Sequence, residues 1–183
     1  MATVRPRSFE LVTPVSGADH LTGQEHAPVV IVEYGDFECP NCKQAAPAVK
    51  LLLARFAGQV QFAYRHFPLE AVHPHALQAA EAAESAGAQG RFWEMHDLLF
   101  DNQLRLHRDD LGRYAAELRL DTTRYDAEMR QHAWLNRVRE QIDDGEQSGV
   151  RSTPGFFING RIHDVSFGLR SLFDATAAVL RNK

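Results

Sequence analysis

Hydrophobic positions change period several times along the chain, and each change marks an element. Val29-Val30-Ile31-Val32 is a continuous β-branched run, the pattern of a central parallel strand buried on both faces. Ala45, Ala46, Val49, Leu52, Leu53 and Phe56 then fall on one helical stripe, which Gly58 should end. Pro47 lies inside that stripe, where it removes a backbone hydrogen bond and predicts a kink. Val60, Phe62 and Tyr64 alternate with Gln61, Ala63 and Arg65, a second strand. Strand, helix and strand in that order make a βαβ unit, which should be right-handed.

From His75 to about Ser148 the pattern is helical almost throughout. Residues 75–86 are rich in alanine, which lets helices approach closely. Phe92, Met95, His96 and Leu99 form the next stripe, with the Met and aromatic positions read as core. Leu111, Tyr114, Ala115 and Leu118 follow the cap candidate Asp109, and Asp121 is a second cap candidate. Leu135, Val138 and Ile142 carry a last helix that Gly149 can close. Sheet pattern then resumes: Gly155-Phe156-Phe157-Ile158 and Arg161-Ile162-His163 flank Asn159-Gly160, a strong hairpin signal. Leu169, Leu172, Phe173, Thr176 and Leu180 share one face of a terminal helix. Residues 1–27 read as an irregular lead-in broken by Pro6, Pro14, Gly17 and Gly23, with Phe9 and Leu11 as a short edge strand.

The expected organisation is therefore a lead-in at 1–27, a βαβ half at 28–70, an all-helical insertion at 71–148 and a ββα half at 149–183. A length of 183 residues suits one domain carrying an insertion, and 44% apolar content is enough for a core. The net charge of −4 argues against a nucleic-acid footprint. No apolar run approaches 18 residues, so no membrane insertion is expected. Arg5 and Arg7 precede no apolar segment, which reads against a signal peptide. As the sequence stands the expected location is cytoplasmic, and exported or periplasmic if the N-terminus is a trimmed one. There is no Gly-x-Gly-x-x-Gly and no phosphate-binding loop, so no cofactor is expected. Monomer is the default.

The only two cysteines, Cys39 and Cys42, stand where the first strand pattern gives way to the first helix. A Cys-x-x-Cys at that point of a βαβ pattern reads as a thiol–disulfide redox site. At a helix N-terminus the Cys39 sulfur meets free backbone N–H groups and the positive end of the dipole, which favour the nucleophilic thiolate. Pro40 suits the first helical turn, and Cys42 returns to the same face. Two other readings stay open. One is half a zinc site completed by His66, His73 or His75; the other is a structural disulfide, weak in so short a loop.

Longer motifs extend the pattern: Val32-Glu33-Tyr34-Gly35-Asp36-Phe37-Glu38-Cys39-Pro40-Asn41-Cys42, Arg65-His66-Phe67-Pro68-Leu69, His73-Pro74-His75-Ala76, Gly90-Arg91-Phe92-Trp93-Glu94-Met95-His96, and residues 149–160 around Thr153-Pro154. With them the chain, from about residue 23 onward, resembles the DsbA-like thiol–disulfide oxidoreductases of the thioredoxin superfamily. The resemblance implies an α/β thioredoxin fold interrupted by a helical insertion. It implies Cys39 as the attacking cysteine, Cys42 as the buried resolving one, and Pro154 as a cis-proline opposite them. That would leave the Thr153 backbone free to pair with a substrate peptide. It also matches Pro47 to a kinked active-site helix. Glu33 matches a buried acidic position able to take the Cys42 proton, whereas on its own it reads equally as a solvated carboxylate at a strand end.

One departure lies between the cysteines. Strongly oxidising members carry Pro-His there, and this chain has Pro40-Asn41. A helix N-terminus contributes about 0.3–2 kcal/mol, and one pKa unit is about 1.4 kcal/mol, so the dipole alone should lower the Cys39 thiol by about one unit at most. Asp36 and Glu38 would oppose it, and Arg65 or His66 would offset them. The expected activity is a protein disulfide oxidoreductase acting on protein or peptide thiols and disulfides. A redox partner protein or glutathione would recharge it, and the direction stays open. The rival from another class is a non-catalytic peptide-binding module on the same fold.

Overall fold

The computed structural model describes residues 10–182. Its five-stranded sheet has the order β1-β3-β2-β4-β5. The centre is β2 (Val29–Gly35), where branched residues fit a strand covered on both faces. It runs parallel to β3 (Val60–His66), pairing Val29 with Val60 through Gly35 with His66. On its other side it is antiparallel to β4 (Gly155–Ile158), pairing Ile31 with Ile158 through Tyr34 with Gly155. At Asn159-Gly160 both residues have positive φ, 47° and 81°, as a two-residue hairpin requires. The turn leads into the edge strand β5 (Arg161–His163).

The lead-in is not irregular throughout. His20–Gly23 forms β1, antiparallel to β3. Leu11 is outside any strand: Glu10 makes an isolated bridge to Arg161, and the Leu11 N–H bonds Gly160 O at 2.7 Å. The edge strand expected at Phe9 and Leu11 is thus replaced by single contacts where the structure describes it; Phe9, like Arg5, Pro6 and Arg7, lies outside the described residues.

The first crossover is α1 (Pro40–Arg55), which continues through Pro47. It ends with Phe56 as its C-cap, two residues before Gly58, which takes φ +77° in the turn to β3. Five helices follow: α2 (Ala76–Gly87), α3 (Phe92–Asp101), α4 (Arg108–Glu117), α5 (Thr122–Gln131) and α6 (Leu135–Gln147). The N-cap position of α4 is His107, whose side chain makes no capping bond, and not Asp109, which lies in the first turn, where a carboxylate faces the positive helix end. The Asp121 side chain does cap α5, accepting from the Arg124 N–H. α2 touches α3, α4, α5 and α6. Its alanines bury little area themselves, but they let Met95, Leu99, Leu111 and Tyr125 close over them, each such side chain contributing about 1.5–3 kcal/mol. The terminal helix α7 (Arg170–Arg181) packs Leu172 and Thr176 inward.

Alternation along β2 separates two cores. Val29 and Ile31 join Cys39, Cys42, Phe62, Tyr64 and the insertion helices on one face, and Glu33 shares their parity. Val32 and Tyr34 join Ala63, Phe67, Val150 and Phe157 on the other, with the lead-in residues Leu11, Val15 and Leu21 packed against them.

Candidate active site

At the end of β2, Gly35 lies too close to the Tyr64 ring to carry a side chain; a Cβ there would lie 2.5 Å from it. The loop that follows is tied down locally. Asp36 Oδ1 accepts the Glu38 N–H at 2.7 Å, and Asp36 O accepts the Cys39 N–H at 3.1 Å. Phe37 is stacked on Tyr64, with ring centroids 5.3 Å apart. Cys39 is then the extended N-cap residue of α1, Pro40 its first helical residue, and Cys42 lies within the first turn.

Both thiols are reduced. Both are buried, Cys42 fully and Cys39 to 5% exposure, with Thr153 against the Cys39 sulfur. The Cys39 thiol donates to Thr153 O at 3.4 Å, and the Thr153–Pro154 peptide bond is cis. Thr153 Oγ1 and Glu33 Oε1 are buried with no hydrogen-bond partner. Tyr64 Oη is a third such atom on this side of the sheet.

The electrostatics split the two sulfurs. Cys39 is pulled down to about 5, first by a hydrogen bond from the Cys42 thiol, against the effect of burial, and then by the Thr153 hydroxyl, which has no other partner and can turn to the ionised sulfur, and by the Cys42 and Asn41 N–H groups. Cys42 is pushed well up, by burial first and then by Cys39 and Glu33. Glu33 rises to about 8 because it is buried and faces the Cys39 charge. The lowering at Cys39 exceeds what the helix terminus alone allows, because the neighbouring thiol is its largest cause.

The other charged residues named from the sequence are engaged elsewhere. Asp36 Oδ2 bonds His73 Nδ1 at 2.7 Å, and Glu38 bonds His75 Nδ1 at 2.9 Å. His66 Nε2 bonds Glu84 at 3.0 Å, and Arg65 turns to the opposite face, onto Asp19 and Asp144. So Arg65 and His66 do not offset the loop carboxylates, and the three histidines that could have completed a zinc site are paired with carboxylates. One group among the described residues has metal-ligand spacing: His20, His66 and Glu84. It includes neither cysteine, and the second Glu84 oxygen already holds Arg137 Nε at 2.7 Å. A divalent ion there would sit beside a guanidinium with a single carboxylate to balance both.

Pro40 and Asn41 are exposed at the head of α1. An open groove of about 690 Å³ beside them is lined by Asn41, Gln44, Arg151, Thr153, Pro154 and Leu169. Gln103 was not legible as a site residue. It reaches in from the loop after α3 and donates to the Phe37 and Cys39 carbonyls. No local signal marks it, since its partners lie more than 60 residues away.

A thioredoxin-fold sheet, a Cys-x-x-Cys pair heading the crossover helix, a facing cis-proline loop and a helical insertion define a class: the DsbA-like fold of the thioredoxin superfamily. The thioredoxin family profile matches residues 15–172, and the chain belongs to that family. Among solved structures, oxidised BdbD from Bacillus subtilis is similar with a TM-score of 0.81 at 20% identity, over 89% of this chain and 93% of that one. Wolbachia pipientis alpha-DsbA1 is similar with a TM-score of 0.78 at 19% identity, over 96% of each. A curated relative from Salinispora arenicola, named Na(+)/H(+) antiporter NhaA 1, is 46% identical over 171 residues, 93% of this chain and 26% of that protein. One from Herminiimonas arsenicoxydans, named Na(+)/H(+) antiporter NhaA, is 40% identical over 86% of this chain and 24% of its own length. The chain thus spans about a quarter of the length of these curated relatives. Among the described residues no helix is long and apolar enough to cross a membrane.

Proposed function

We propose that this chain is a thiol–disulfide oxidoreductase that exchanges disulfides with protein or peptide thiols through a mixed disulfide at Cys39. The observation that carries the reading is the division of labour between the sulfurs. One is a stabilised thiolate at a helix start, and the other is a buried thiol held protonated three residues on. A purely peptide-binding module has no need of that division.

In the oxidising direction a substrate thiolate attacks Cys39 Sγ of the Cys39–Cys42 disulfide. The S–S bond breaks, and Cys42 leaves with the electron pair and takes a proton. A second substrate thiolate then attacks the substrate sulfur of the mixed disulfide and expels Cys39 as thiolate. The substrate loses two electrons and two protons; one proton goes to Cys42 and the other to solvent. Glu33, protonated near neutrality, is the group we assign to supply the Cys42 proton, and to accept it when the cycle runs backward. Pro154 and Thr153 present the backbone against which the substrate chain lies, and Pro40 and Asn41 form the exposed head of the helix. The segments 28–70 and 149–183 carry this chemistry, with the insertion 71–148 covering it.

A thiolate stabilised to about 5 favours the reduced pair and a good leaving group. We therefore favour disulfide donation in an oxidising compartment, with a redox partner protein or glutathione restoring the disulfide. The antiporter activity in the relatives' names is not carried over, since this chain matches only about a quarter of them. The test is Cys42→Ser, which should trap mixed disulfides at Cys39 with thiol-bearing polypeptides, while Cys39→Ser should trap none. Equal trapping by both variants, or by neither, overturns the mechanism. Equilibration of the parent protein in graded glutathione buffers then fixes the direction.

A further inference from the structure

Gln103 lies in the loop between α3 and α4, and its side chain is buried while its neighbour Leu104 is 93% exposed. Its Nε2 donates to two backbone carbonyls, Phe37 O at 2.9 Å and Cys39 O at 2.8 Å. Those oxygens stand on either side of Glu38, at the entry to α1. The other hydrogen bonds to this backbone come from the loop and from α1 itself, while the Phe37 ring packs on Tyr64 and Phe100, the Glu38 side chain is held at the start of α2 and Cys39 Sγ reaches Thr153. Asp36 takes the Glu38 and Cys39 N–H groups, and Glu38 takes the His75 N–H. The Cys39 carbonyl also accepts the first intrahelical bond, from Lys43 N at 3.1 Å.

A carbonyl oxygen carries partial negative charge, and the Cys39 carbonyl belongs to the residue whose sulfur must ionise. Without Gln103 the Phe37 carbonyl would lose this donor and the Cys39 carbonyl would be left with the Lys43 N–H, which would be costly for buried groups and would raise the local negative potential. An uncharged amide that donates twice removes both penalties and adds no formal charge. It also fixes the direction in which the chain enters the helix, and so where Sγ sits relative to Cys42 and Thr153.

We propose that Gln103 is a positioning residue for the Cys39 thiolate, a side chain of the helical insertion that sets the ionisation of a sulfur on the thioredoxin-fold half. The inference rests on Cys39 being the exchanging thiol. It acts through two carbonyls and does not touch the substrate.

The test is the Cys39 titration, followed by thiolate absorbance in the reduced protein. Gln103→Met keeps the size and removes both donors; it should raise the Cys39 midpoint by about half a unit or more. The glutathione equilibrium should shift toward the disulfide by the matching factor, about threefold for half a unit. Gln103→Lys restores a donor and should return the midpoint to the parent value or below. A change that only loosened the fold would move Met and Lys variants the same way. Should Gln103→Met fail to fold, Gln103→Glu takes its place and should raise the midpoint further. A donor-free variant that titrates like the parent, or a Lys variant that rises with it, overturns the inference. An ordinary thiol midpoint in the parent protein would instead overturn the exchange reading, because the Met–Lys difference is read on any baseline.

Discussion

Arg65 and Glu33 are buried on opposite faces of the central sheet, and their surroundings treat them in opposite ways. On one face Arg65 is saturated. Its guanidinium meets Asp19 at 2.7 Å, Asp144 at 2.8 Å, Tyr34 Oη at 3.0 Å and the Thr13 carbonyl at 3.0 Å. Burial would weaken its charge, but the bonds to Asp19 and Tyr34 outweigh it and hold Arg65 firmly protonated. On the other face Glu33, adjacent to Tyr34 in the chain, has a carboxylate oxygen with no partner, and its pKa rises to about 8. Complete pairing yields a group that never titrates and serves to hold structure together. Incomplete pairing yields one that titrates where chemistry happens.

The largest effect should come from breaking the saturated side. Arg65→Met strands Asp19 and Asp144 and should cost about 3–5 kcal/mol in urea unfolding. The Cys39 titration of the surviving folded protein should stay where it was. A displaced thiol midpoint would mean that the two faces are electrically coupled and would break the contrast.

The next effect is on the shape of the pH profile. In the reduced protein Glu33 keeps its proton up to about 8, whereas a free carboxyl loses it near 4.5. Between those values the folded chain binds the extra proton, so Glu33 makes stability fall as pH rises. Cys39 does the reverse, ionising at about 5 when folded against 9 when free, so its contribution grows with pH. From pH 5 to 8 the two slopes oppose each other. Glu33→Gln removes the falling one, so its stability should climb relative to the parent by up to roughly 1.4 kcal/mol per pH unit. Parallel profiles for the two proteins would show that Glu33 is already ionised at neutrality.

The smallest effect sharpens the picture of the paired side. Tyr34→Phe removes one hydroxyl that donates to Asp144 and accepts from Arg65, leaving the ion pair in place. It should cost about 1 kcal/mol, well short of the arginine variant. A loss as large as that of Arg65→Met would mean that the hydroxyl, and not the ion pair, organises this face.

Elements with a strong local signal were legible in the sequence. The β-branched run of β2, the Asn159-Gly160 hairpin and the Asp121 cap all appear where their chemistry puts them. β1 was not, because His20-Leu21-Thr22-Gly23 has one apolar residue and owes its form to pairing with β3. The cap of α4 was misplaced because four polar residues, His107, Arg108, Asp109 and Asp110, precede the apolar stripe, and pattern alone does not say which one leaves the helix. The cysteine pair could be placed by position along strand and helix, whereas the burial of Glu33 was read only through the family resemblance. What sets their electrostatics could not be read in that way, since it is burial by distant parts of the chain together with contacts such as that of Cys39 to Thr153, 114 residues away.

The contact between Cys39 and Thr153 spans 114 residues. In a chain made from its N-terminus at about 5–20 residues per second, both thiols therefore exist for roughly 6–23 s before the segment that shelters them has been made. During that interval the pair is an exposed dithiol beside a half-built sheet, open to whatever oxidant the nascent chain meets. Pulse alkylation of ribosome-held chains should label Cys42 readily before the segment around Thr153 has emerged, and hardly at all once it has. The mature pair's protection is thus conferred late, by a segment made more than a hundred residues after the cysteines.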